Sequence, residues 1–186
     1  MRVYIKNMVC DRCRRAVQQA FQDAGLPPLS VELGEVELAV PASEAELHQV
    51  EERLKALGFA FINTRQGRQI EEIKVSLQNI VQGHTALPNL TLSHYLAEAL
   101  HHDYSALSKL FSETEGTTIE QYYIRLKIEK VKELIVYDEL TLTEIADRLG
   151  YSSVAHLSAQ FKKLTGLTPS FYKALPRHPR TGIEQL

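Results

Sequence analysis

Two stretches in the second half of the chain repeat one another at an offset of 50 residues. LSKLFSETEGTTIEQYY begins at Leu107, LSAQFKKLTGLTPSFYK begins at Leu157, and the two agree in Leu, Ser, Phe, Gly, Thr and Tyr. Upstream, TLSHYLAEAL from Thr91 corresponds to TLTEIADRL from Thr141 with one residue inserted. Self-similarity at a fixed spacing is typical of a supersecondary unit that occurs more than once. The sequence therefore predicts one small helical unit built twice.

Each copy has the pattern of a helix-turn-helix, in which a short amphipathic helix, a tight turn and a second helix follow one another. A longer helix over roughly residues 119–137 joins the two copies. Its apolar face is predicted from helical spacing to carry Ile124, Ile128, Val131, Leu134 and Ile135. We expect an all-α double helix-turn-helix domain over residues 90–176, followed by a tail at residues 177–186.

The segment EIADRLGYSSVAHLSAQFKKLTGLTPSFYK, from Glu144 to Lys173, resembles the second helix-turn-helix signature of the AraC family of bacterial transcription regulators. Ala146 stands where that family packs its two helices closely, and Gly150 stands in the turn. With the first copy included, the resemblance covers about residues 90–175, the family's whole DNA-binding domain. It implies double-stranded DNA as partner, with two second helices in successive major grooves about 34 Å apart.

The resemblance also implies which side chains face DNA. In the first copy these are Ser105, Ser108 and Lys109; in the second they are Ser153, Val154, Ala155, His156, Ser158 and Ala159, with Lys162 and Lys163 on phosphate. The family commonly has an arginine where this chain has Lys109 and Ala159. Because each bidentate contact to a base contributes about 1–3 kcal/mol of discrimination, we expect thymine methyl contacts and DNA shape to carry more of the specificity here.

The first 64 residues carry a different succession of patterns. RVYIK alternates like a strand, residues 11–24 have helical spacing, and LSVELGEVELAV gives two alternating runs that meet at Gly34. Ser43 and Glu46 then form a capping box ahead of a second helix, and FAFI supplies a last strand. The order βαββαβ predicts an α+β ferredoxin-like domain over residues 1–64.

The two cysteines of the chain, Cys10 and Cys13, lie together in NMVCDRC, between the first strand and the first helix. This loop resembles the Met-x-Cys-x-x-Cys loop of the heavy-metal-associated domains of copper chaperones and copper-pumping ATPases, and the resemblance covers Arg2 to about Ile62. Asn7 stands where that family commonly has glycine, and Val9 where it has a small hydroxyl residue. Two soft thiolates suit Cu(I) or another soft metal ion, whereas tetrahedral Zn(II) needs two more ligands.

We predict that the N-terminus of the first helix, together with Arg12, Arg14 and Arg15, lowers the pKa of both thiols. A lowered pKa also suits reversible disulfide formation, so a thiol redox switch is a second interpretation of the pair. A third is a scaffold that is kept for dimerisation or for another ligand.

Residues 65–89 are predicted to form a linker helix and a loop between the two domains. QGRQIEEIKVSLQNIVQ places four apolar side chains at three-four spacing, and GHTALPN at residues 83–89 has the composition of a linker. The four side chains are Ile70, Ile73, Leu77 and Ile80. Two interpretations fit them: packing within the chain, or a homodimer contact that couples ligand binding to DNA binding.

Composition narrows the function classes. The net charge is −2 and shows no broad basic field, so DNA binding must depend on local geometry. The sequence has no apolar run near the roughly 20 residues that cross a bilayer and no secretory signal, and we expect a cytoplasmic protein without a membrane partner. No nucleophile with a base and no phosphate-binding glycine loop is visible, so we do not expect an enzyme.

Together these features predict a one-component regulator in which a ferredoxin-like domain senses a ligand and an AraC-like domain binds DNA. RNA polymerase is a further candidate partner. Two alternatives remain open: a copper carrier with a helical docking module, and a thiol redox-responsive regulator.

Overall fold

A computed structural model describes residues 1–85 and 91–182. The strands of this part are β1 Arg2–Lys6, β2 Pro28–Glu32, β3 Glu35–Leu38 and β4 Ala60–Phe61. Its helices are α1 Asp11–Asp23, α2 Glu44–Ala56, α3 Arg65–Gln82, α4 Leu92–Leu100, α5 Tyr104–Glu115, α6 Ile119–Tyr137, α7 Leu142–Arg148, α8 Val154–Thr165 and α9 Pro169–Lys173. Residues 86–89 of the predicted linker, residue 90 and residues 183–186 of the predicted tail lie outside the described residues.

The described residues divide into two compact units. The first contains residues 1–78 and 91–110, which include all four strands and α4. The second contains residues 79–85 and 111–182, which include α6 to α9. The divisions fall within α3 and within α5, whereas the domain boundaries predicted from the sequence, after residue 64 and before residue 90, stay predictions.

The four strands form an antiparallel sheet in the order β2-β3-β1-β4. The hairpin predicted at Gly34 is confirmed: its φ is 85°, a left-handed conformation that glycine adopts without steric cost, and β2 pairs with β3 on either side. β4 is shorter than predicted and spans only Ala60 and Phe61, which pair with Lys6 and Ile5 of β1. The core between the sheet and α1 and α2 contains Ile5, Met8, Val17, Phe21, Val36, Leu38, Val50 and Leu54.

Local signals fix the ends of the helices. The predicted capping box before α2 is confirmed, since the Glu46 amide donates to Ser43 Oγ at 3.3 Å and the Ser43 amide donates to Glu46 Oε2 at 2.8 Å. An equivalent box between Thr141 and Glu144 starts α7. Each such cap pairs amides that a helix start otherwise leaves without partners.

The four apolar positions of α3 are largely inside the chain. Ile70, Ile73 and Leu77 are 4%, 0% and 0% exposed, and Ile80 is half-buried. Side chains that pack against a second copy of the chain have to be exposed when the chain is alone. The burial of these α3 side chains therefore favours packing within the chain over the dimer contact, and a homodimer stays a prediction.

The helix predicted over residues 119–137 is confirmed as α6. Its buried residues lie on several sides: Ile119, Tyr122, Leu126, Lys127, Ile128, Glu129, Val131, Leu134 and Ile135. The predicted apolar face was too narrow, since it omitted Tyr122 and Leu126 and included Ile124, which is only half-buried. Neither α6 nor any other helix of the described residues has the length and apolar character to cross a membrane.

The internal repeat is present in the packing of aromatic side chains within the second unit. Phe161 and Tyr172 meet edge to face with ring centroids 5.5 Å apart. Phe111 and Tyr122, at the same offset of 50 residues, also meet edge to face at 5.5 Å. Aromatic pairs of this geometry stabilise a fold beyond the apolar area that they bury. One pair joins α8 to α9 and the other joins α5 to α6.

The core position of Phe161 predicts a large loss of stability on truncation. Phe161 is fully buried, whereas Phe171, ten residues further along, is 58% exposed. We expect Phe161→Ala to lower the free energy of unfolding of the helical part by about 3–5 kcal/mol, through lost burial and the cavity that it leaves. Urea unfolding followed by circular dichroism measures the change, and Phe171→Ala is the matched control. Similar losses in the two variants would contradict the packing.

Candidate nucleic-acid interface

Helix α8 buries one side and exposes the other. Leu157 and Phe161 are both 0% exposed and hold the buried side. The opposite side and the N-terminal end carry the predicted DNA-facing residues: Ser153, Ala155, His156, Ala159, Lys162 and Lys163 are exposed, and Val154 and Ser158 are half-buried. The structure thus places all the predicted positions of the second copy where a large partner can reach them.

The turn before α8 is built from residues with local roles. Gly150 has a φ of 65°, which allows the sharp change of direction between α7 and α8. Ser153 then caps α8, its Oγ accepting the amide of His156 at 3.1 Å. Ala146 of α7, which was predicted to allow close packing of the two helices, is 3% exposed.

His156 is held in one orientation by residues that the sequence reasoning missed. Its Nδ1 lies 3.1 Å from Ser152 Oγ, and its ring meets the Tyr151 ring edge to face at 5.4 Å. Tyr151 is fixed in turn, because its hydroxyl donates to Gln160 Oε1 at 2.7 Å. No described residue hydrogen bonds to Nε2 of His156, so this nitrogen can pair with a ligand. The four-residue spacing of Ser152 and His156 was the available sequence signal.

Lys162 and Lys163 lie in the last turn of α8. Both are exposed, and neither forms an ion pair with a described residue. Ammonium groups beside a helix C-terminus are favoured by the helix dipole, so both positions are also compatible with the stability of α8. Their charges are available to an anionic partner.

The first copy differs from the second at the start of its second helix. Asp103 Oδ1 accepts the amides of Ser105 at 2.9 Å and of Ala106 at 3.2 Å, and the Ser105 hydroxyl also donates to it. These hydrogen bonds, led by the one from the Ser105 side chain, lower the pKa of Asp103. Ser105 and Lys109 are exposed and Ser108 is half-buried. Asp103 therefore caps α5, and its negative charge stands at the position where the second copy has Ser153.

The cysteine pair lies at the N-terminus of α1. Cys10 is the exposed N-cap residue, Cys13 is half-buried, and their sulfur atoms are 3.7 Å apart. Within residues 1–85 and 91–182, no group of three or more His, Cys, Asp or Glu side chains is placed to hold a metal ion. Met8 is 0% exposed in the core, so its thioether does not join the thiols at the surface. The donor set is two sulfur atoms.

The expectation of a lowered pKa is wrong for Cys13. Burial raises the pKa of the Cys13 thiol, and its hydrogen bond with Cys10 acts in the same direction, which outweighs the lowering by backbone hydrogen bonds of Val9 and Cys10. The guanidinium of Arg14 does not contact the thiols. It donates to the Val31 carbonyl oxygen at 3.1 Å and to Asp11 at 3.2 Å. The loss of water around the sulfur is therefore the dominant effect.

Asn7 occupies the position in this loop where the heavy-metal-associated domains commonly have glycine. Its φ is 72°, a left-handed conformation that asparagine tolerates better than most residues. Its amide donates to Glu71 Oε1 at 2.9 Å, and its side-chain Nδ2 donates to the Gly58 carbonyl oxygen at 2.9 Å. Two hydrogen bonds thus hold the cysteine loop to α3 and to the turn after α2.

Comparisons with known proteins match the helical part of the chain. The family model described as "Helix-turn-helix domain" matches residues 96–174. The "Uncharacterized transcriptional regulatory protein YesN" of Bacillus subtilis is 33% identical over 88 residues, which cover 46% of this chain and 24% of that protein. The transcriptional activator RhaR of Cronobacter sakazakii is 34% identical over 67 residues, which cover 36% of this chain and 24% of that protein.

Among solved structures, the C-terminal domain of AraT, a response regulator from Geobacillus stearothermophilus, is similar with a TM-score of 0.50 and 28% identity, over 59% of this chain and 87% of that chain. The chain spans about a quarter of the length of the two curated relatives. The matched segment begins within α4 and includes α5 to α9 in full. Residues 96–174 of this chain thus match a helix-turn-helix domain in sequence, and the helical part resembles a solved domain of a response regulator in fold.

Proposed function

We propose that the chain is a DNA-binding transcription regulator in which the exposed side of α8 enters the major groove. The observation that carries this proposal is the placement of every predicted contact of the second copy on the accessible side and end of one capped helix. A major groove about 12 Å wide admits such a helix. The similarity to YesN of Bacillus subtilis and RhaR of Cronobacter sakazakii, which are described as transcription regulators, supports the same function.

The side chains of α8 suit a division of roles on DNA. Nε2 of His156 can hydrogen bond to a base edge, and the methyl groups of Val154 and Ala155 can contact thymine methyls. Lys162 and Lys163, which are exposed at the end of the helix, suit phosphate. Since Ala159 replaces the common arginine, the His156 contact and the shape of the DNA would carry much of the sequence preference.

The phosphate role predicts a change in salt dependence. We expect the double variant Lys162→Ala, Lys163→Ala to bind all duplexes more weakly, and the slope of log K against log salt concentration to fall in magnitude by about 2, one for each lost contact. Fluorescence anisotropy on a duplex selected from random DNA, measured over a salt series, gives both quantities. Lys6→Ala, which removes an exposed charge from β1, is the matched control. An unchanged slope would rule out the phosphate contacts.

We also propose that residues 1–64 form a ferredoxin-like sensor that binds Cu(I), or a similar soft ion, through Cys10 and Cys13. The element order and the sheet order β2-β3-β1-β4 support the fold. Metal–sulfur bonds of about 2.3 Å let one ion bridge sulfur atoms that are 3.7 Å apart. A set of two thiols suits a soft monovalent ion, which needs fewer ligands than Zn(II). The carrier and redox interpretations stay predictions.

The contacts within the first unit suggest how such a sensor would act on the helical part. The Asn7 amide joins the cysteine loop to Glu71 on α3, and Glu71 is 7% exposed. Two residues earlier on α3, Gln69 Nε2 lies 2.9 Å from Nε2 of His102, which follows α4. We infer that ligand at the cysteines changes DNA affinity by shifting α3 and the turn between α4 and α5.

Titration with Cu(I) in the presence of a competing chelator tests the sensor. We expect one ion per chain for the parent protein and none for Cys10→Ser, Cys13→Ser. Because each thiol must lose its proton to bind the ion, and burial raises the pKa of Cys13, we expect the affinity to increase with pH. No binding by the parent chain would exclude the sensor.

The proposed coupling between the cysteine loop and α3 is tested by the effect of Cu(I) on DNA affinity. Glu71→Ala should keep Cu(I) binding but lose the effect of Cu(I) on DNA affinity, whereas Glu72→Ala, which changes an exposed neighbour, should keep both. An equal response of DNA affinity in the parent and in Glu71→Ala would reject coupling through this contact.

A further inference from the structure

The second unit contains a cavity of about 350 Å³ beside the turn that precedes α8. Ile80, Val81 and Leu149 give it apolar walls, Tyr123 and Lys127 of α6 line it, and Asp147 and Arg148 lie at its exposed side. Cavities of this size with apolar walls and a few polar groups are typical of small-molecule sites. None of the predicted DNA-facing residues lines it.

Lys127 is the unusual member of this lining. It is 8% exposed, and its Nζ lies 3.8 Å from the centroid of the Tyr151 ring and 5.6 Å from that of Tyr123. No described residue accepts a hydrogen bond from it or pairs with its charge. The other lysines near it on α6, Lys130 and Lys132, are each paired with a glutamate, at 2.5 Å and 2.6 Å. A buried ammonium supported only by ring faces lacks the anionic partner that buried charges ordinarily have.

The charges around the cavity leave Lys127 uncompensated. Burial raises the pKa of both Tyr123 and Tyr151, so their phenols are neutral near pH 7. Asp147 and Arg148 have opposite charges and are both exposed to solvent. Desolvation lowers the pKa of Lys127 to about 8, so at pH 7 the ammonium is still mainly protonated. The lining therefore has one buried positive charge among apolar and aromatic groups.

We propose that this cavity binds a small organic carboxylate with an apolar body, whose carboxylate group pairs with Nζ of Lys127. One buried positive charge matches a monoanion, whereas a phosphate dianion would bring a second negative charge that nothing buried compensates. The apolar walls match a hydrocarbon or aromatic body. The site shares no residue with the proposed DNA contacts or with the cysteine pair.

The proton on Lys127 determines the pH dependence of this binding. A carboxylate binds the protonated lysine better, so occupancy raises the pKa of Lys127 above its value of about 8 in the free chain. Affinity is then highest at neutral pH and falls as the pH rises through 8 and Lys127 loses its proton in the free chain. The other charged groups of the lining are Asp147 and Arg148, which are both exposed to solvent.

Isothermal titration calorimetry of the full chain with 2-naphthoate at pH 7 tests the proposal, with the neutral 2-naphthamide as matched ligand. We expect one naphthoate per chain, with an affinity about tenfold or more above that of the amide, and a loss of about tenfold or more in Lys127→Met. Lys6→Met, which removes an exposed charge in the other unit, should bind like the parent. Equal affinity for acid and amide, equal affinity in Lys127→Met, or no binding of naphthoate would each overturn the proposal.

A second measurement needs no variant. The NMR titration of the Lys127 side chain should show a midpoint near pH 8 in the free chain and a higher midpoint with saturating naphthoate. A midpoint that naphthoate leaves unchanged would overturn the ion pair even if the molecule binds elsewhere.

Discussion

The helical half of the chain depends on the packing of one phenylalanine against one tyrosine in each repeat. Phe161 meets Tyr172 at 5.5 Å, and Phe111 meets Tyr122 at the same distance. Because Leu157 and Phe161 must point inward on α8 to make this core, Ala155 and Ala159, which lie half a helical turn away, point outward. The spacing that builds the core therefore also creates the surface that we propose to bind DNA. The buried side of α8 and its exposed side therefore both follow from the same helical spacing of residues.

Features that depend on neighbouring residues were predictable, and features that depend on distant residues were not. The bounds of α6, the turn at Gly34 and the capping box at Ser43 follow from local spacing and were confirmed. The predicted lowering of the Cys13 pKa was wrong because desolvation of the thiol depends on how the loop packs, and the adjacent arginines in the sequence do not indicate that packing. The burial of Lys127 without an anionic partner could not be predicted from the sequence either, since the Tyr151 ring that covers its ammonium group lies 24 residues away along the chain.

Tyr151 contacts residues of both the cavity around Lys127 and the exposed side of α8. One side chain provides the ring face for Lys127, the ring contact for His156 and the hydrogen bond to Gln160. A change in the cavity around Lys127 would therefore also affect Tyr151, which orients His156 on α8. In the first unit, Glu71 has a comparable position, because it holds the cysteine loop through the Asn7 amide. Single residues with several partners are where binding at one place can affect another.

The proposed function depends on contact between α8 and DNA, and modification of histidines by diethyl pyrocarbonate tests that contact directly. His156 is exposed on α8, and His48, exposed on α2, is an internal reference. The full chain is treated alone and with a saturating duplex selected from genomic DNA, and modification of each histidine is quantified by mass spectrometry. We predict that the bound duplex reduces modification of His156 and leaves that of His48 unchanged. Equal modification of His156 with and without bound duplex would contradict it.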